Sequence, residues 1–146
     1  MKRKESTTSG TEHIEDEIST GDWVAAQLCL SLQLLASQAQ DQVHHFPPNV
    51  AIISELCADY EHFAESISTY WELSHEQTLH LKTLQSFFEA LDRPEMSDFW
   101  TEEALFSDSR WNTIRHLANQ ALLFFHWPLA APPPEPGSIG WNQLNG

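Results

Sequence analysis

Between Glu5 and Leu81 the chain has no lysine and no arginine. Aspartate and glutamate recur through the same stretch, and the whole chain of 146 residues carries a formal net charge of −14. A surface of that sign repels nucleic-acid phosphates and anionic lipid headgroups, so the expectation is no nucleic acid and no membrane among its partners. Glycine is scarce too, with five residues, of which those at 137, 140 and 146 fall in the C-terminal tail. That leaves no glycine-rich phosphate loop and no Gly-x-Ser-x-Gly nucleophile turn. There are only two cysteines, Cys29 and Cys57, each among apolar residues and with no CxxC spacing. They read as buried free thiols in a reducing, cytoplasmic setting.

A membrane-spanning run is missing as well. Trp23 to Gln40 is free of charge, but Gln27, Ser31, Gln33, Ser37 and Gln38 interrupt it. A spanning helix needs about twenty predominantly apolar residues. The acids ahead of it, from Glu12 to Asp22, stand where an export signal carries positive charge. A buried core helix is the better reading.

What is present is helical periodicity. From Asn49 to Trp71, apolar residues at 53, 56, 57, 60, 63, 64, 67, 70 and 71 recur at steps of three and four. On a helix of 3.6 residues per turn they form one broad stripe, opposite Glu55, Asp59, Glu61 and Glu65. A first helix is predicted from Thr20 or Asp22, with a stripe of Val24, Leu28, Leu32, Leu35, Ala39, Val43 and Phe46 running up to Pro47-Pro48. Its leucines point in several directions, which predicts either a central helix or one covered by a second subunit as a homodimer. Ser74 with Gln77 forms a capping-box pattern and opens a third helix through Leu91, expected to fold back on the second. Asp92-Arg93-Pro94 breaks the chain before a short amphipathic helix ending near Phe106. Asp108 or Ser109 caps the last long helix, which Pro128 ends.

The expected fold is therefore all-α: a single helical bundle of four long helices plus one short one, over residues 21–128. Residues 1–20 read as a disordered leader, and 129–146 as a flexible Pro-rich tail. Within the tail, Pro133-Pro134-Glu135-Pro136 matches the PxxP spacing of polyproline ligands, a pattern common by chance.

Two kinds of chemistry compete. Eight histidines accompany many carboxylates, and Glu72-Leu73-Ser74-His75 has the Glu-x-x-His spacing of di-iron bundles. No second such pair exists, which leaves a metal-dependent bundle enzyme or metal sensor as the alternative reading. The main expectation is non-catalytic, with no cofactor: an acidic module that covers a basic protein partner. An inhibitor, an immunity protein, a DNA-mimicking decoy and a chaperone-like adaptor all fit that description. The expected contact residues are Glu55, Asp59, Glu61, Glu65, Glu72 and Glu76, whose carboxylates would meet Lys and Arg across an interface. Protonating all eight histidines would move the net charge from −14 to −6, so a pH response is a further expectation.

Overall fold

The computed structural model describes residues 2–4, 11–133 and 138, with backbone alone at 2–3 and 11–19. It is an all-α fold, with four long helices: α1 (Thr11–Ala36), α3 (Ile52–Tyr70), α4 (His75–Leu91) and α6 (Ser109–Phe125). Two short ones, α2 (Ala39–His45) and α5 (Glu102–Ser107), and a 3₁₀ segment (Pro94–Trp100) connect them. Two residues near the start, β1 (Lys2–Arg3), pair antiparallel with β2 (Trp71–Glu72).

The first helix is central. It packs against α3 on one side and α6 on another, while α4 lies against α6. Leu28, Leu32 and Leu35 are fully buried and Leu34 nearly so. The many-sided leucine pattern is thus used up inside one chain, and Leu30 is the leucine of this run left exposed. The core is completed by Tyr60, Phe88, Phe99, Ile114 and Trp111, with Phe99 stacked on Trp111 at 5.1 Å. Phe99, the half-buried Trp100 and Leu105 therefore belong to the core side of their acidic segment, and Phe106 is exposed.

Three boundaries differ from the sequence expectation. Helix α1 begins at Thr11, inside the expected leader. Adding residues to an existing helix costs little once its buried part is formed. The expected long first helix also breaks at Ser37-Gln38, where Gln38 is extended (φ −66°, ψ 155°). No proline or glycine marks that break. The Gln42 side chain makes it, donating from Nε2 to Leu34 O at 3.1 Å and Leu35 O at 3.2 Å in place of the next helical turn. Finally, the short helix before Phe106 is two pieces, parted at Thr101, whose hydroxyl accepts from Ala104 N to start α5.

Other boundaries follow their local signals. Ser74 caps α4, and its capping box with Gln77 is complete in both directions, at 3.0 and 2.9 Å. Asp108 Oδ1 accepts from Arg110 N at 2.9 Å and starts α6. The chain turns through Pro47-Pro48-Asn49 with Asn49 at φ 69°, a left-handed position that Asn tolerates better than most residues. Helix α6 ends on left-handed His126, two residues before Pro128.

Candidate functional site

The six expected contact residues are all exposed, but they do not form one patch. On α3 the apolar stripe leaves a wide outer face, and the acids occupy its two edges. Glu55 and Asp59 lie one turn apart on the edge toward α1. Glu61 and Glu65, likewise one turn apart, lie on the edge toward α4. Glu72 sits in β2, and Glu76 is in the first turn of α4.

The edge toward α4 is where charge concentrates. Helices α3 and α4 are joined by a short link and run antiparallel, so the end of α4 returns beside the start of α3. This brings Glu89 and Asp92 to Glu61. Partial desolvation, then repulsion from Asp92, Glu89 and Glu65, pushes the Glu61 carboxyl above its ordinary value. Burial and the Glu61 and Asp92 charges also push the Cys57 thiol far up, which makes it an inert core thiol. The cluster lies at the negative end of the α4 dipole, and the last turn of α4 has no basic residue. Arg93 follows Asp92 in the chain and is exposed. Glu89 and Asp92 were not among the expected contact residues. Sequence spacing within one helix cannot pair them with Glu61, although the capping box that fixes where α4 starts was a usable clue.

Because α4 leans on α6 rather than closing on α3, an open groove of about 640 Å³ remains between α3 and α4. Glu65, Trp71, Glu72, Lys4, Lys82 and Gln85 line it. Two of the expected acids therefore face a groove that also holds two lysines. Asp59 faces a different cavity of about 280 Å³, between α1 and α3, with Leu30, Leu34, His45 and Phe63. Pro132 and Pro133 border that cavity after the chain crosses α1, where Gln33 Nε2 donates to Pro128 O at 2.9 Å. Pro134 to Pro136 of the PxxP match lie outside the described residues.

Glu72 and His75 are on different elements, separated by Leu73 and the cap residue Ser74. Among the described residues no group of three or more His, Cys, Asp or Glu is arranged to hold a metal ion. Nor, among them, is any helix long and apolar enough to cross a membrane. Compared with known proteins, the chain matches no family, no curated protein and no solved structure.

Proposed function

We propose that the chain is a non-catalytic binding protein whose acidic face covers a basic surface on another protein. The observation that carries this reading is the gathering of Glu89 and Asp92, at the end of α4, beside Glu61 and its helical neighbour Glu65, where partial desolvation and then repulsion from these acids raise the Glu61 pKa. Like charges held together at the negative end of a helix weaken the fold, and a cationic partner relieves that repulsion on binding. Arg93, next to Asp92 and exposed, is the base beside the cluster, and Arg110 and Arg115 are held elsewhere. Arg110 is engaged by Asp98 and Asp108 at 3.1 and 2.6 Å, and Arg115 is half-buried in hydrogen bonds to Ser37, Gln42 and Leu105. Inhibitors, immunity proteins, decoys and adaptors for basic proteins all work by such a contact.

Capture from extract of the native cell tests this at low and high salt. The wild-type chain is expected to hold a basic protein at low salt and release it at high salt, because exposed charge pairs are screened. A variant with Glu61→Gln, Glu65→Gln, Glu89→Gln and Asp92→Asn is expected to lose it. Equal recovery by both proteins overturns the proposal. The metal-dependent alternative is decided by metal analysis of the purified protein, where stoichiometric iron, manganese or zinc would support it.

A further inference from the structure

We propose that β2 and the groove beside it form a docking site for an extended, lysine- and arginine-rich segment of a partner protein, and that the chain's own Lys2–Lys4 occupies this site at rest. The proposal rests on the reading of the chain as a binder of basic proteins, and it names the form of the ligand.

Tyr70 ends α3, and Trp71 is extended at φ −131° and ψ 141°. No glycine or proline between Trp71 and Ser74 demands this. What accompanies it is strand pairing: Lys2 faces Glu72, Arg3 faces Trp71, and Lys4 N donates to Tyr70 O at 2.8 Å. A strand of two residues has almost no stability alone, so β2 exists as the receiving edge for another extended segment. Backbone pairing of this kind supplies affinity with little regard to sequence, and neighbouring side chains choose the occupant.

Here the neighbours choose a basic one. Glu65 and Glu72 line the groove against the single Lys82 from α4, and Lys4 enters it between α3 and α4. The segment seated on β2 is Lys2-Arg3-Lys4, the only run of bases before residue 82. Trp71 anchors the floor, since its indole Nε1 donates to Gly21 O at 2.9 Å and ties β2 to α1. A partner segment must displace the tethered arm, and a short tether gives the arm an effective concentration of roughly millimolar. The arm then acts as a threshold that only an extended basic segment of sufficient affinity passes.

The test uses the full-length protein and a fluorescently labelled Met-Lys-Arg-Lys peptide. Lys4→Pro removes the donor to Tyr70 O and frees the site. A second variant, Lys2→Ser with Arg3→Ser and Lys4→Ser, removes only the arm's charge. Both variants are expected to bind the peptide about tenfold or more tightly than the wild-type chain, as expected for loss of a tethered competitor. Adding Glu65→Gln and Glu72→Gln to either variant is expected to abolish that gain. Circular dichroism reports whether each variant is folded, and the triple-serine variant decides the matter if Lys4→Pro is not. Equal peptide affinity in wild type and the folded arm variants overturns the proposal, as does binding indifferent to Glu65 and Glu72. Retained capture of a basic protein in that event leaves the functional reading standing. Peptide competition as expected, with no salt-sensitive capture, overturns the functional reading and keeps the site.

Discussion

Arg115 Nη2 donates to Gln42 Oε1 at 3.0 Å, and the two side chains together close the C-terminal end of α1. Gln42 satisfies the carbonyls of Leu34 and Leu35, while Arg115 Nε donates to Ser37 O at 2.9 Å and its Nη2 to Leu105 O at 2.6 Å. One guanidinium on α6 thereby joins the ends of α1 and α5 to α2. Arg115→Ala strands several acceptors and is expected to cost about 2 kcal/mol, or a fall of roughly 6 °C in Tm. In a double-mutant cycle, Gln42→Leu and Arg115→Ala are expected to be non-additive, with a coupling of about 1 kcal/mol. Additive losses in urea unfolding would show that the two act separately.

Glu61 sets a pH dependence of the opposite sign from most carboxylates. Its folded pKa lies above the ordinary 4.5, so the folded chain holds the proton more tightly than the unfolded chain. Stability from this group is present at low pH and is lost as pH rises from the ordinary carboxylate value through the raised one. Glu61→Gln is therefore expected to stabilise the protein at pH 7, by no more than about 0.5 kcal/mol after solvent screening. At pH 3 the advantage should be gone. Thermal melts of both proteins at the two pH values check it.

The same group reports binding. A cationic partner over Glu61 lowers its pKa, so association just above the ordinary carboxylate range is expected to release protons. Isothermal titration in buffers of different ionisation enthalpy measures this directly. Glu61→Gln should reduce the buffer dependence.

Asp108 has two jobs that substitution can separate. It caps α6 through Arg110 N and holds the Arg110 side chain, whose Nε donates to both carboxylate oxygens at 3.0 and 3.1 Å. Those side-chain hydrogen bonds, ahead of any other cause, hold its carboxyl below the ordinary 3.8. The resulting stability is present above that ordinary value and is lost as pH falls through the folded pKa. Asp108→Ala is expected to cost about 1 kcal/mol at pH 7, whereas Asp108→Asn keeps the cap and should cost only part of it. Equal losses from both variants would assign the whole effect to the ion pair.

Trp111 is fully buried between Phe99 and Phe88, and among the described residues its Nε1 finds no hydrogen-bond partner. Its value is in its ring, packed between those two and overlaid by the Arg115 guanidinium 5.9 Å from its centroid. Trp111→Ala is expected to cost about 4 kcal/mol. Trp111→Phe should cost well under half of that, because a smaller aromatic ring refills most of the space between Phe99 and Phe88. Guanidinium unfolding of both variants gives the comparison.

Much of the fold was legible where a single residue or a local period carries the signal. Ser74 with Gln77, Asp108 and the two proline breaks marked element ends within a residue or two, because caps and missing amides act on their immediate neighbours. The stripes of α3, α4 and α6 identified the buried faces, from Tyr60 to Phe88 to Trp111. The break at Ser37-Gln38 was not legible. It depends on Arg115, 78 residues from Ser37 in the chain, reaching a carbonyl that a continuous helix would have used itself. The candidate site was half legible. Every expected acid is exposed, yet the approach of Glu89 and Asp92 to Glu61, and the seating of Lys2–Lys4 on β2, depend on how helices stack.

Composition and periodicity by themselves determined an all-α chain, the faces that are buried, and an acid excess unbroken by bases for half its length. Both are properties of neighbours in sequence, since a helical turn spans four residues and a charge is carried wherever its residue goes. Only the tertiary structure decided that α4 would lean toward α6 and leave a groove against α3, and that its end would bring two more carboxylates to Glu61. It also decided that the first basic residues would lie across β2. Those arrangements come from packing between segments distant in the chain, where the fit of side chains such as Trp111 and the reach of Arg115 choose among helix stackings that one stripe pattern allows equally.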